Sequence, residues 1–463
     1  LKATFVRGSP SREKPSVCFL KVVAGMVSVC IAISLLLLHL PAAVAAAAST
    51  KEYLAMVPNH GASKVTWVQL EYPSSGTFRP KDVTVVPVTE TVDAIGSWFN
   101  LSLGEKGGTT LTAKIYGDNL YAYMNTGKAP EERGCCADTM RIFPRGGGKY
   151  TDIDLDGALQ GAFKATANSS WAHASHTFDL AEIDGEVVAL CMVLYKEKAL
   201  SEDKTGAIAA VSMKTGTLKA TADGHQYFDL LRKAGTTLAG EGNSRFKLQF
   251  VPGGLGEQWH GNGMLRFKAL DGTMILAITE RASSQATILK DPYTYTSAQG
   301  GGEILQRFGT PPQYGPRGKY NHVRHFGMTD DTMSGGCHNL WYTRYGTSRE
   351  TLTMFLNGVM SDSKSHVYEF DLKWAKESTS TDDSVFDTKF VKGKFSWSAQ
   401  AQGGARPLGE NVWIGASGAA EVGYEIVDAS GDASQVISYT EANLYDPFVR
   451  IVVSGREEER VVV

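Results

Sequence analysis

The sequence predicts an all-β protein, and three observations support this prediction. Glycine is frequent, with 49 of 463 residues, as expected of a chain with many turns. Long amphipathic helical stretches are scarce, whereas short apolar or alternating runs bounded by turn residues recur along most of the chain. The hydrophobic content of 43% is that of an ordinary globular protein, and the length is sufficient for two or three domains.

The first element is an N-terminal segment, residues 1–48, that predicts a secretory signal peptide or an uncleaved signal anchor. Lysine and arginine are enriched in residues 2–21, and residues 22–48 contain no Asp, Glu, Lys or Arg and end in small residues. The apolar stretch is also long enough to span a bilayer, which needs roughly 20 residues. Both alternatives place the body of the protein in the secretory pathway or outside the cell, with membrane contact only through this segment.

Residues 49–134 predict a small N-terminal β-sandwich. Four short runs bounded by turns suit strands, and they read VTWVQLEY, DVTVVPVT, TTLTAKIYG and NLYAYMNTG. The alternation in DVTVVPV is typical of a strand with one buried face. A sandwich of two such sheets is the simplest interpretation of this region.

Residues 135–455 predict a six-bladed β-propeller. A unit that consists of a segment of polar or small residues, a strand, a DG-like turn and an apolar strand occurs at 176–193 and again at 260–279. Residues 403–417 form a third copy, in which LGEN takes the place of the turn. Hairpins that repeat at intervals of about 40 to 50 residues are typical of propellers, and roughly 320 residues would supply about six blades.

Other segments predict outer strands and turns of the same fold. TDIDLDGAL at 151–159 combines an acidic residue, a strand and a turn, and similar pieces occur at YEFDL and YEIVDASGDASQVIS. Asn357 with Gly358 predicts a type I′ turn after an apolar strand.

Charge and cysteine usage exclude several classes of function. The formal net charge is -3 and the basic residues are dispersed, so no nucleic-acid partner is expected. Cysteines outside the N-terminal segment lack the CxxC pairing typical of zinc sites. One or two disulfides and free thiols both stay open for these residues, which are Cys135, Cys136, Cys191 and Cys337.

Three of the ten histidines stand where a propeller would bring them together. His176 and His260 open equivalent strands of two repeats, and His338 opens a third apolar strand, HNLWYTRYG. Because the innermost strands of a propeller line its central channel, we expect the three imidazoles to share one pocket.

Further polar residues accompany these histidines. Arg281 follows the apolar run MILAIT, and it either ends a strand in solvent, pairs with a distant Asp or grips a tetrahedral oxyanion. Asn262 and Asn339 supply amide donors beside two of the histidines, although either could be a turn residue. Thr343 follows on the strand of HNLWYTRYG and is a further candidate for binding an acceptor.

The segments WHGNG, ALDG and AITER, followed by EILQRFG, GCHNLWYTR and TLTMFLNG, resemble the arylsulfotransferase family. Members of this family are extracytoplasmic six-bladed propellers with an N-terminal β-sandwich. They move a sulfuryl group between phenols without the nucleotide sulfate donor. The resemblance covers about residues 60–450 in layout and is specific in 173–193, 257–309 and 338–358.

The resemblance implies roles for the polar residues. It matches the sulfated histidine of the family to His338, which would attack the sulfur of an aryl sulfate as a neutral imidazole. His260, Asn262 and Arg281 would hold the sulfate oxygens, because a loose transition state places charge there. His176 could protonate the departing phenolate. The substrates would be small aryl sulfates and phenols, with no metal and no cofactor.

Alternatives to this function stay open. Converging histidines can also bind a divalent cation, as in a metal-dependent lyase or hydrolase. A catalytically silent propeller that binds glycans or proteins would tolerate replacement of the polar residues. A quinone-dependent dehydrogenase is a weaker alternative, since it would be expected to contain more than the 8 tryptophans present.

Overall fold

The computed structural model describes most of the chain after residue 48, with gaps. The described ranges are 49–56, 64–74, 76–103, 109–127, 136–166, 169–197, 205–230, 261–280, 285–309, 323–324, 337–359, 364–372, 390–399, 403–416, 423–437 and 449–454. They form 27 strands, one α-helix, α1 (Leu155–Thr166), and the 3-10 helices Pro80–Asp82, Gly96–Asn100 and Ser297–Gln299. Within these ranges the all-β prediction is confirmed, and none of the helices is long and apolar enough to cross a membrane. The segment 1–48 lies outside the described residues.

The described strands form six sheets, numbered I to VI in chain order. Sheet I has the order β27 (Val449–Ser454), β1 (Ser49–Met56), β2 (Thr66–Pro73), β3 (Thr84–Pro87). Sheet II has the order β4 (Thr109–Tyr116), β5 (Asn119–Asn125), β7 (Thr139–Pro144), β8 (Thr151–Asp154). Sheet III has the order β12 (Leu218–Lys219), β11 (Thr205–Ser212), β10 (Glu186–Glu197), β9 (Ser169–Ile183), β6 (Cys136–Ala137), and β13 (Phe228–Asp229) also pairs with β11.

The remaining three sheets follow the same hairpin pattern. Sheet IV has the order β14 (Gly261–Lys268), β15 (Met274–Glu280), β16 (Gln285–Lys290), β17 (Ile304–Gly309), β18 (Val323–Arg324). Sheet V has the order β19 (Cys337–Tyr345), β20 (Arg349–Val359), β21 (Lys364–Asp371), β22 (Phe390–Lys394). Sheet VI has the order β23 (Gly404–Gly409), β24 (Val412–Ala416), β25 (Tyr424–Asp428), β26 (Ala433–Ile437).

The hydrophobic core is divided among the sheet interfaces. Each cluster of buried side chains among the described residues joins one sheet to the next in the series, from I–II through V–VI. A further cluster packs Leu70 of sheet I against Ile414 of sheet VI, so the sixth sheet also packs against the first. The sheets therefore have a propeller-like arrangement, in which each sheet buries both faces against its neighbours.

Two contacts join the beginning and the end of the described chain. β27 pairs with β1 in antiparallel register, with Ala55 opposite Val449. Arg406 of β23 forms an ion pair with Glu52 of β1, and both side chains are fully buried. A buried pair of this kind needs good geometry to offset its desolvation, and it fixes how sheets VI and I meet.

The predicted division at residue 134 falls inside sheet II, whose strands β4 and β5 precede it and whose strands β7 and β8 follow it. The prediction of a six-bladed propeller confined to 135–455 is therefore wrong. Among the described strands, only sheets III to VI are built wholly from residues after 135. The physical reason is that alternation reveals a buried face but not the sheet that covers it, so sandwich and propeller strands look alike.

The predicted hairpins at 176–193, 260–279 and 403–417 are confirmed as β9–β10, β14–β15 and β23–β24. Asp184 and Gly185 of the first turn both have positive φ, 53° and 73°. Such angles are those of the type I′ turn that an Asp-Gly pair favours.

Two local predictions are wrong. Residues 155–159 begin α1 rather than a turn, because Asp154 Oδ1 accepts a hydrogen bond of 3.0 Å from Gly157 N and caps the helix. Leu155, Leu159 and Phe163 then fall on one buried helix face. Asn357 lies inside β20 instead of in a turn, where a register shift against β21 accommodates it.

Candidate functional site

The strands β9, β14 and β19 carry the residues that the sequence singles out, and each has a β-bulge at that point. The extra residue is Asn262 in β14 and Asn339 in β19. In β9 the bulge contains residues 176–177. Because β14 packs against both β9 and β19, the three bulges lie on neighbouring strands. A bulge redirects a side chain out of the regular alternation, which is how a strand presents a polar group at a site.

The centre of the site is a hydrogen bond between sheets IV and V. Asn262 Nδ2 lies 2.8 Å from His338 Nε2, and both residues are only about 1% exposed. An amide nitrogen can only donate, so His338 Nε2 accepts and carries a lone pair, and the ring proton is on Nδ1. The contact thus holds a buried, neutral imidazole in one tautomer.

Backbone geometry explains how Asn262 reaches a histidine 76 residues away. A Cβ added at Gly263 would lie 2.7 Å from Thr279 Oγ1 and 3.1 Å from Asn339 N. Only glycine allows β14 to approach β19 this closely. Asn339 itself has a φ of 51°, a left-handed conformation that asparagine tolerates better than most residues.

Three buried oxygen atoms in this region have no hydrogen-bond partner among the residues that the structure describes. They are Asn262 Oδ1, Asn339 Oδ1 and Thr279 Oγ1. A buried polar atom without a partner costs about 1–3 kcal/mol, so such atoms are expected where a ligand or water completes the site. The site therefore combines an imidazole lone pair with unused oxygen acceptors.

The structure describes the other residues predicted for the site only in part. His260 and Arg281 lie outside the described residues, directly before β14 and directly after β15, whose ends pair through Gly261 and Glu280. His176 belongs to β9, but its side chain is not described. Thr343 is buried on β19, five residues beyond His338, a separation of roughly 15 Å along a strand. The structure therefore does not bring Thr343 to His338.

Cysteines and carboxylates do not complete a metal centre here. Among the described residues no group of three or more His, Cys, Asp or Glu side chains could hold a metal ion. Cys136, Cys191 and Cys337 are buried thiols, and burial raises the pKa of the Cys191 thiol to about 12. Cys337 packs in the apolar cluster between sheets IV and V, so it serves the core.

Sequence reasoning missed a pair of titratable groups at the beginning of β9. His173 Nδ1 lies 2.6 Å from Asp156 Oδ1 of α1, and His173 is 6% exposed. The ring of Trp171 stacks on the imidazole, with centroids 5.5 Å apart and planes inclined by 21°. In the sequence, only the spacing of Trp171 and His173 indicates that they lie on one strand face. Their partner stands on a helix that the sequence did not predict.

A buried carboxyl group lies between sheets V and VI. Glu369 is 1% exposed, and its Oε2 accepts a hydrogen bond of 2.7 Å from Trp413 Nε1. Burial raises the pKa of Glu369 to about 7, although Trp413 and Arg349 favour the charged form. Glu369 therefore changes its charge near neutral pH.

No protein-family model matches the chain, and no curated protein sequence matches it. Among solved structures the chain is similar to apo AztD from Citrobacter koseri, with 9% sequence identity and a TM-score of 0.35. The match covers 88% of this chain and 99% of that chain. At this level the likeness carries no argument about function. The arylsulfotransferase family is not confirmed, and the resemblance to it stays a prediction.

Proposed function

We propose that this chain transfers a sulfuryl group from an aryl sulfate to a phenol, with His338 as the nucleophile. The observation that carries the proposal is the 2.8 Å hydrogen bond from Asn262 Nδ2 to His338 Nε2. It keeps a buried imidazole neutral with a lone pair on Nε2, and this is the form that attacks an electrophile.

In the first half of the reaction, Nε2 of His338 attacks the sulfur while the bond from sulfur to the aryl oxygen breaks. The aryl group leaves as a phenolate with the bonding electrons, and the proton on Nδ1 stays in place. Asn262 releases Nε2 as the new bond forms, and its amide hydrogen is then beside a sulfuryl oxygen. Such donors accelerate transfer through a loose transition state by positioning and by stabilising charge.

In the second half, a phenol takes the sulfuryl group from Nε2 and restores the neutral imidazole. His260 and Arg281 are proposed to hold sulfuryl oxygens in both halves, and His176 to move a proton. Asn339 borders the same site. The proposal includes reaction outside the cytosol, with residues 1–48 as leader or anchor. It requires no metal and no cofactor.

The test is the intact mass of the full chain after brief exposure to 4-nitrophenyl sulfate, with and without phenol. His338→Gln removes the nucleophile, and His225→Gln is a matched control because His225 is exposed. We expect one sulfuryl group on wild type and His225→Gln, none on His338→Gln, and discharge by phenol. Absence of both nitrophenol release and a mass gain in wild type would contradict the proposal.

A divalent-cation site is the second candidate, and the unused oxygen atoms favour it. Asn262 Oδ1, Asn339 Oδ1 and Thr279 Oγ1 have no partner within the described ranges, and such oxygens suit hard cations. An imidazole nitrogen is a common zinc ligand, so Nε2 of His338 would bind the ion in place of its hydrogen bond with Asn262. Equilibrium dialysis with Zn²⁺ decides this point. Stoichiometric binding that His338→Gln abolishes and His225→Gln retains would favour this function over sulfuryl transfer.

A further inference from the structure

We infer that an alkali-metal cation binds between sheets V and VI, where three threonine hydroxyls and the carboxylate of Glu369 supply its oxygen ligands. The threonines are Thr343 of β19 and Thr351 and Thr353 of β20. The site lies further along β19 than His338, and the inference does not rest on the proposed function.

Strand register places the four residues on one face of sheet V. Thr343 is opposite Thr351 in the β19–β20 pair, and Thr353 is opposite Glu369 in the β20–β21 pair. Thr351 and Thr353 are two residues apart on β20, so they share a face. Directly opposite residues have Cβ atoms about 4.5–5.5 Å apart. Because Trp413 of sheet VI donates a hydrogen bond to Glu369, this face is the one that sheet VI covers.

The four side chains present buried oxygen atoms that lack hydrogen-bond partners. Each residue is at most 3% exposed. The Oγ1 atoms of Thr343, Thr351 and Thr353, and Oε1 of Glu369, have no hydrogen-bond partner within the described ranges. They therefore do not bond to one another either, although their residues are neighbours on the sheet. Unsatisfied buried polar atoms are unfavourable, and a cation that the four oxygens coordinate satisfies all of them at once.

The charges around Glu369 favour a cation over a water molecule. Its cationic partner, Arg349, lies 3.6 Å from Oε1. The same guanidinium lies 2.7 Å from Asp371 and 2.8 Å from Glu410, so three carboxylates share one positive charge. Burial raises the pKa of Glu369 to about 7 although Trp413 and Arg349 favour the ionised form, which is therefore incompletely compensated. One carboxylate among neutral hydroxyls suits a single positive charge, whereas Ca²⁺ sites commonly use several carboxylates.

The other charged groups at this interface have partners of their own. Arg406 of β23 pairs with Glu52, and Glu425 of β25 accepts a hydrogen bond of 2.8 Å from Ser396 N. The hydroxyl of Tyr345 lies 3.4 Å from Glu369 Oε2 and leaves Oε1 to the cation. Since the cation binds the ionised carboxylate, its binding releases a proton and strengthens as the pH rises through about 7.

Urea unfolding of the full chain in sodium, potassium or choline chloride at equal ionic strength tests the inference. Choline is a quaternary ammonium ion, which hydroxyl and carboxylate oxygens cannot coordinate closely. At pH 8 we expect sodium or potassium chloride to raise the urea midpoint above that in choline chloride. The unfolding equilibrium constant should fall about tenfold for each tenfold increase of the ion above its Kd. At pH 5 the difference should disappear, because Glu369 then holds its proton.

Three variants locate the effect. Thr353→Val keeps the shape of the side chain and should lose the response to both ions, yet in choline chloride it should be at least as stable as wild type, because it removes an unsatisfied hydroxyl. Glu369→Gln should lose the response as well, and it carries the test if Thr353→Val does not fold. Thr110→Val is the matched control, since Thr110 is a buried threonine of sheet II whose hydroxyl also lacks a partner among the described residues. It should respond as wild type does.

Equal urea midpoints of wild type in the three salts at pH 8 would overturn the inference and leave the hydroxyls to water. A response to sodium or potassium that Thr353→Val or Glu369→Gln retains would also overturn it, because the ion would then act elsewhere. None of these outcomes bears on sulfuryl transfer, since the measurement involves no aryl sulfate.

Discussion

Replacing Glu369 by glutamine is expected to weaken the pH dependence of the free energy of unfolding. The carboxyl group is buried between sheets V and VI, where it contacts Trp413, Tyr345 and Arg349 and lies near Asp371. Burial raises its pKa from the ordinary 4.5 to about 7, because the charged form loses its hydration. Glutamine has nearly the same shape and does not titrate in this range.

The sign and size of the effect follow from this pKa. Below pH 4.5 the carboxyl group binds its proton in both the folded and the unfolded chain, and its contribution to stability is fully present. As the pH rises toward 7, the unfolded chain loses the proton first, so the contribution declines and is lost above the folded-state pKa. A pKa raised from 4.5 to about 7 corresponds to about 3 kcal/mol.

Urea unfolding at several pH values between about 4 and 8 measures this contribution. We expect wild type to lose about 3 kcal/mol relative to Glu369→Gln across that range. Glu410→Gln is the matched control, because Glu410 also pairs with Arg349 but its side chain is 48% exposed. Its pH dependence should follow that of wild type. Equal pH dependence in wild type and Glu369→Gln would refute the reasoning.

Three further substitutions test contacts described above. Asn262→Asp replaces the donor to His338 with an acceptor, so Nε2 must carry a proton; nitrogen NMR should show this change, and the nitrophenol burst should disappear. Arg406→Met leaves Glu52 buried without its cation, and urea unfolding should show a loss of about 3–5 kcal/mol, smaller when Glu52→Met is added. Gly263→Ala places a methyl group 2.7 Å from a threonine hydroxyl and 3.1 Å from a backbone nitrogen. A loss of about 1–3 kcal/mol is expected, and an unchanged urea midpoint would contradict the close approach of β14 and β19.

Local features of the fold could be predicted from the sequence because they depend on neighbouring residues. The turn at Asp184 and Gly185 is an example, since its positive φ angles require those residue types. Sheet membership could not be predicted, because Ala55 of β1 pairs with Val449 of β27 and no local pattern records that pairing. Helix α1 could not be predicted either, because the residues that cap it and form its buried face are also compatible with a strand and a turn.

The contacts of the candidate site also differ in whether they could be predicted from the sequence. Asn262 and His338 could be predicted to meet because both stand where apolar strands begin, and propeller-like sheets gather such positions. Asp156 and His173 could not, because their contact depends on the helix that brings Asp156 to β9. Thr343 shares a strand with His338, yet strand geometry carries it away from the imidazole.

The pairing of β27 with β1 has a consequence for biosynthesis. Sheet I is incomplete until β27 has been translated, and until then one edge of β1 lacks the strand that pairs with it in the described structure. An open edge of this kind pairs readily with other chains. Translation products that stop before Val449 should therefore aggregate or be degraded, even though they contain every residue proposed to act at the site. In this fold, a strand that is translated long after β1 controls whether β1 becomes part of a stable sheet.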